Sequence, residues 1–301
     1  MQRNDILKLL FETPYEALRE RADEVRAREK GEHVFVRGLI EFSNRCERNC
    51  RYCGLRSANP SLKRYRLDEA QIVEAAERAV AFGVDTLVLQ SGEVHVVDAL
   101  RTRFPVAVTL SVGEQPTASY ALWKEAGASR FLLKHETADA SLYAALHPGY
   151  TLAQRVDALQ RLRRAGYEIG SGFIVGVPGQ RPETLADDIL LARELHVDMC
   201  GAGPFIPQAD TPLGNEPQGS VELALRVMAV LRIALPWSNL PATTALASLD
   251  PVSGQREGLL AGGNVLMPGF TPAAHREDYC IYDNKHRVSM DEARQVIEAA
   301  G

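Results

Sequence analysis

Residues 167–207 read YEIGSGFIVGVPGQRPETLADDILLARELHVDMCGAGPFIP. An apolar, glycine-punctuated run (167–177) stops at PGQR, a stretch of helical period (182–196) follows, and a second apolar run (198–207) closes on Pro-Phe-Ile-Pro. Neither run alternates between apolar and polar residues, as a half-exposed strand would. Both faces are apolar, which is how a parallel strand covered by helices reads. The segment is therefore a strand–helix–strand unit.

The same alternation recurs along the chain. Further apolar or β-branched runs are VFVRGLIEFS (34–43), TLVLQSGE (86–93), AVTLSVGE (107–114), RFLLKHE (130–136), NLPATTA (239–245) and NVLMPGF (264–270). With the two above they make eight predicted strands. Amphipathic stretches lie between them at 67–83, 118–127, 152–166 and 221–235, in addition to 182–196. Eight β/α units predict an α/β fold, a single (β/α)8 TIM-type barrel with an N-terminal helical extension; an open doubly wound sheet has the same local pattern. Closure is favoured because nearly every run ends in small or polar groups: Ser43, Gln90 to Glu93, Ser111 to Glu114, Lys134 to Glu136, Gly176, Pro204, Thr243, Thr244 and Met267. Strand ends of this kind fit one shared mouth. The division read from the chain is a helical extension over 1–32, the barrel over 33–285 and a C-terminal helix over 286–301.

Composition narrows the function. Net charge is −5, and the 34 Lys and Arg are scattered, so there is no cationic patch of the kind that tracks nucleic acid. The N-terminus, MQRNDILKLLFETPYEALRERADEVRAREK, is charged and helical in period, without a signal-peptide core. No apolar run approaches the roughly 18 residues of a membrane span. These features predict a cytoplasmic protein that binds neither membrane nor nucleic acid. With no coiled-coil pattern and moderate charge, a monomer is expected.

Three of the five cysteines fall within eight positions, in FSNRCERNCRYCGLRS (42–57): Cys46, Cys50 and Cys53. In a reducing compartment such a cluster holds metal rather than disulfides. Three thiolates alone do not close a tetrahedral zinc site. A [4Fe–4S] cubane held by three cysteines keeps one iron without a protein ligand, open to an amino acid's amine and carboxylate. Gly54 and the charged residues around it make the segment a loop, and Tyr52 offers a face to a stacked base. Cys200, in an apolar run, reads as a small buried residue, and Cys280 as a structural one.

The C-x3-C-x-aromatic-C pattern after a first barrel strand resembles radical S-adenosylmethionine enzymes. EFSNRCERNCRYCGLR, LKRYR, TLVLQSGE, VTLSVGE, WKEAG, HETAD, VGVPGQ, GPFIPQADTPL and PATTA further resemble the HydE group of [FeFe]-hydrogenase maturases, relatives of biotin synthase and PylB; the similarity spans about 33–282. The resemblance implies a [4Fe–4S] cluster on Cys46, Cys50 and Cys53 and S-adenosylmethionine (SAM) bound beside it, cleaved reductively to a 5′-deoxyadenosyl radical. It implies cofactor contacts from Tyr52, from Gln90, Ser91, Gly92 and Glu93 of the QSGE motif, and from Ser111, Glu136 and Arg155. It adds the backbone around Gly172, Ile174, Gly176 and Gly179.

For the substrate it implies Lys134, Thr243, Thr244, Met267, His275 and Tyr279. Lys134 stands where the group can carry Arg, and His275 where it has Tyr; Arg and Lys are not equivalent at a bidentate site. The implied substrate is small or organometallic, a cysteine-bound Fe(CO)2CN species in hydrogenase cofactor assembly. Other maturases and a reductant protein would be the partners. With only Cys280 near the C-terminus, no second cluster is expected. The readings that compete are a related paralogue or PylB-like mutase acting on another small carboxylated compound, and, from a different class, a non-catalytic iron–sulfur carrier.

Overall fold

The computed structural model describes residues 1–92 and 103–301. Six strands pair in parallel in chain order: β2 (Gly38–Cys46), β3 (Thr86–Gly92), β4 (Ala107–Ser111), β5 (Ala128–Leu132), β6 (Glu168–Val175) and β7 (Met199–Pro204). The flanking β1 (Phe35–Val36) and β8 (Val265–Leu266) pair with each other. Hydrogen bonds join the two sets into a ring. Leu39 N–H donates to Pro268 C=O (2.9 Å) and Phe270 N–H returns to Leu39 C=O (2.7 Å), while Gly38 and Leu39 also pair with Leu87 and Val88. On the far side, residues 239–242 bridge β7 to β8: Cys200 N–H donates to Asn239 C=O (3.0 Å), and Ala242 N–H to Val265 C=O (3.0 Å). The wall is thus a closed parallel barrel.

The predicted strand over 239–245 shortens to this bridge. Pro241 has no N–H to give to a ladder, and Thr243 already caps the helix Thr244–Leu249. The leading helix also differs from its sequence reading. It is two helices, α1 (Arg3–Phe11) and α2 (Tyr15–Lys30), because Pro14 disfavours helical geometry at Thr13. Arg226 on the later helix Val221–Ala234 donates to Leu10 C=O (2.6 Å) and to Thr13 C=O, satisfying carbonyls that the end of α1 leaves open. Both helices pack against this outer layer.

Helices α3 (Glu69–Ala81), α4 (Thr117–Glu125), α5 (Ala140–Leu146), α6 (Leu152–Arg164) and α7 (Pro182–Glu194) cover the barrel between strands. Ile40 and Phe42 of β2 face this layer and share one buried cluster with Ile72, Ala75 and Ala76 of α3. Full burial of each large side chain contributes roughly 1.5–3 kcal/mol. Residues of the other parity, Leu39 and Glu41, face the opposite side of the strand and line a cavity shared with Thr244, Met267 and Lys285. At the base, the fully buried Arg232 donates to the carbonyls of Gly262, Pro236 and Ser238 and to Asn264 Oδ1. Among the described residues no helix is long and apolar enough to cross a membrane.

Candidate active site

Strand β2 ends at Cys46, which pairs with Gly92, so the cysteine loop leaves the barrel beside the QSG segment of β3. The loop is tied down by backbone bonds from several elements. Arg51 N–H donates to Leu146 C=O (3.0 Å), Leu213 N–H to Arg51 C=O (3.2 Å) and Gly54 N–H to Ile281 C=O (3.1 Å). Arg64 adds donors to the carbonyls of Asn44, Leu55 and Arg56. Gly54 has no substitute, since a Cβ there would lie 2.1 Å from the Cys280 carbonyl oxygen. Such a cradle fixes three sulfurs before any metal arrives.

All three thiols are free and partly buried. Burial raises the pKa of each, with Cys50 reaching about 11, and neighbouring sulfurs add to the effect at Cys50 and Cys53. Backbone N–H groups of Arg48 and Leu55 point at Cys46 and Cys53 and act in the opposite sense. Three desolvated sulfurs that resist ionisation next to one another are suited to a cationic group that neutralises them together. Among the described residues, no three Cys, His, Asp or Glu side chains converge on a single ion. A cubane makes no such demand, because each cysteine holds a different iron.

Glu136 sits just past β5 with φ +64°, a left-handed conformation rare for a side chain of this size. Thr137 N–H donates to His135 C=O (2.8 Å), closing a three-residue turn around it. Its Oε2 is buried with no hydrogen-bond partner, although Lys134 Nζ stands 3.3 Å away. A buried carboxylate oxygen that has an ion-pair neighbour but no hydrogen bond, carried on a left-handed backbone, has room for a further donor from a ligand. His135, of the opposite parity, is fully buried against Phe173 and bonds Ser171 Oγ (2.9 Å); burial lowers its pKa to about 3, so the ring is neutral.

Arg155 is engaged by the protein itself. Its Nε lies 2.7 Å from Glu114 Oε1 and its NH1 donates to Lys134 C=O. Glu114 also pairs with Arg48 of the cysteine loop, whose guanidinium stacks 3.3 Å above the Tyr150 ring. Burial is the largest single influence on Arg155 and opposes its charge, but Glu114 together with Tyr143, Glu136 and Tyr52 outweighs it and the pKa is raised. Gln90 and Ser111 lie side by side on β3 and β4, and Ser91 is buried. Glu93 lies outside the described residues. Gly172 faces Gly201, where a Cβ would come within 2.0 Å of the carbonyl oxygen, so β6 and β7 approach as only glycine permits. Tyr52 donates its hydroxyl to His147 Nε2 (3.0 Å), because His147 Nδ1 is committed to the Tyr143 carbonyl (3.1 Å).

Tyr52, Cys53, Gln90, Lys134, Glu136 and Ile174 open on one cavity of about 320 Å³, whose deeper wall carries Thr243, Thr244 and Met267. Thr243 Oγ1 is buried without a partner. Two expected substrate residues sit elsewhere: His275 stacks on Tyr65 (4.6 Å) and Tyr279 is buried under Lys285, and neither lines this cavity. Ile281 and Tyr282 line it instead, which the sequence reading missed. It also missed Glu114 as the bridge between Arg48 and Arg155; its signal was the SVGE ending, a counterpart of QSGE one strand earlier.

Comparison with known proteins agrees with this geometry. The Radical SAM superfamily model matches residues 40–192. The [FeFe] hydrogenase maturase subunit HydE of Thermotoga maritima is 48% identical over 278 residues, 90% of this chain and 80% of that protein. The 3-methylornithine synthase of Methanosarcina acetivorans is 28% identical over 304 residues, 97% of this chain and 85% of its own length. The crystal structure of methylornithine synthase (PylB) superposes with a TM-score of 0.88 at 26% identity, covering 99% of this chain and 91% of that one. The chain is thus a radical SAM enzyme, using a [4Fe–4S] cluster and S-adenosylmethionine, and it belongs to the HydE family.

Proposed function

We propose that Cys46, Cys50 and Cys53 hold the cluster, and that SAM lies between it and the ends of β3 to β6. When bound, the cluster supplies the electron that splits the SAM sulfonium into methionine and a 5′-deoxyadenosyl radical. Glu136 receives the cofactor's ammonium on the oxygen that makes no hydrogen bond, beside Lys134; the Tyr52 face and the backbone at Gly172, Ile174 and Gly176 take the adenine, and Gln90, Ser91, Gly92, Glu93 and Ser111 complete the wall. Arg155, held by Glu114, keeps positive charge beside the cofactor carboxylate.

The observation that carries the reading is that Cys53 of the cysteine loop, Glu136 with its oxygen free of any hydrogen bond, and Thr243 with its unpartnered hydroxyl line the same cavity. Thr243, Thr244 and Lys134 suit a substrate carboxylate, and Met267 lies beside them. We propose that the chain acts in assembly of the [FeFe]-hydrogenase active-site cofactor, on a small cysteine-bound organometallic substrate, in the cytoplasm, as a monomer served by a reductant protein and the other maturases. The barrel over 33–285 carries the chemistry, with 1–32 and 286–301 as helical flanks.

The test is an anaerobic maturation mixture lacking only its HydE component, to which this protein is added. Restored hydrogen evolution supports the assignment. A properly loaded protein that cleaves SAM yet restores none would point to the mutase or paralogue reading. That reading draws on Lys134, which is paired with Glu136 rather than presented as a bidentate fork.

A further inference from the structure

The turn at Glu136 raises the question of what holds a left-handed, non-glycine residue in place. On one side Glu136 N–H donates to Gly172 C=O (2.9 Å) and Ile174 N–H to Glu136 C=O (3.1 Å), extending the β5–β6 pairing past the end of β5. The residues that follow, Thr137 and Ala138, meet a single side chain, Asp188 of α7. Ala138 N–H donates to Asp188 Oδ1, and the Thr137 hydroxyl bonds the same carboxyl. Asp188 is fully buried.

Its other oxygen is used as well. Gln180 Nε2 donates to Asp188 Oδ2 (3.0 Å) and to Ile174 C=O (2.8 Å), while Gln180 Oε1 accepts from Gly176 N–H (2.6 Å). Gln180 thereby satisfies both backbone groups at the end of β6, and Asp188 fixes the orientation of its amide. A buried carboxyl is retained only where it is fully bonded. This one faces away from the cavity and touches nothing that reacts.

We propose that Asp188 is a positioning residue for the cofactor pocket, locking the ends of β5 and β6 together through Thr137 and Ala138 on one side and Gln180 on the other. The inference rests on the cofactor reading given above. Asp188 holds the Glu136 carboxylate in its strained turn and holds the Ile174–Gly176 backbone at the adenine edge. A polar cluster that served stability alone would have no reason to end on these two strand ends.

The experiment compares Asp188→Ala and Gln180→Ala with the unaltered protein, all cluster-loaded and anaerobic. SAM and 5′-deoxyadenosine affinities are measured by calorimetry well below each unfolding midpoint, with thermal unfolding recorded in parallel. Asp188→Ala is expected to weaken SAM by about tenfold or more, since misplacing a binding group by a fraction of an ångström is felt on this scale. Gln180→Ala, which leaves the Ala138 contact in place, is expected to weaken both ligands by a smaller factor. Affinities within about twofold of the unaltered protein, whatever the unfolding midpoints, would overturn the proposal. If Asp188→Ala does not fold, Gln180→Ala decides alone by the same criterion. Absence of SAM binding to the unaltered protein would sink the cofactor reading and this inference with it; intact binding throughout overturns the positioning role alone.

Discussion

Replacing Glu114 by Gln keeps the shape of the side chain and removes its charge. In the folded protein that charge is shared between Arg155, whose side chain is 9% exposed, and Arg48, at 22%. The amide can still accept one hydrogen bond, but its NH2 must face a guanidinium, and two cations are left without a counter-ion. Removing one partner of a buried pair is worth about 3–5 kcal/mol; partial exposure of Arg48 and the remaining Lys134 carbonyl contact favour the lower end, about 3 kcal/mol. With a urea slope of about 3 kcal/mol per molar for a chain of this size, the unfolding midpoint falls by about 1 M. Urea titration followed by far-UV circular dichroism measures this directly, and the Glu114→Gln/Arg155→Met double variant isolates the pair. A midpoint unchanged within about 0.2 M would refute the view that Glu114 is the counter-ion of both arginines.

Gly54→Ala places a methyl group against the Cys280 carbonyl, at 2.1 Å; iron and sulfide bound per chain should fall sharply, while circular dichroism shows the barrel retained. Lys134→Met removes the ammonium beside Glu136; SAM cleavage without substrate should persist, and substrate affinity should fall by about tenfold, as for loss of a charge-assisted contact. For pH, burial raises Asp188 from 3.8 to about 8. Its folded form therefore binds the proton more tightly than the unfolded chain, so its contribution to stability is complete below about pH 4 and is lost as pH rises through about 8. The urea midpoint should decline between about pH 5 and 8 more steeply for the unaltered protein than for Asp188→Asn, with no further difference above about 8; equal slopes would count against the raised pKa.

The barrel was legible because its strands are buried on both faces and its helices are amphipathic, so each element announces itself within its own residues. The cysteine trio was legible for the same reason: its spacing is local. Elements governed by a single proline were misjudged, as with the strand cut short at Pro241 and the leading helix divided at Pro14. Contacts across distant elements left no local trace. Glu114 reaches Arg48 and Arg155, 66 and 41 residues away, and Asp188 reaches Ala138 across 50. The place of His275 follows from stacking on Tyr65, which a loop sequence does not encode. The left-handed turn at Glu136 is bonded to β6 on one side and leads to Asp188 of α7 on the other, contacts that its own residues do not announce.

The central claim is that the loop carrying Cys46, Cys50 and Cys53 initiates radical chemistry on SAM. It is tested most directly by reconstituting the protein anaerobically with iron and sulfide, adding SAM and dithionite, and measuring 5′-deoxyadenosine beside a Cys50→Ala control. The account predicts nucleoside from the intact trio and none from the control. A fully loaded cluster that yields no nucleoside, or equal yields from both proteins, would contradict it and leave the carrier reading in front.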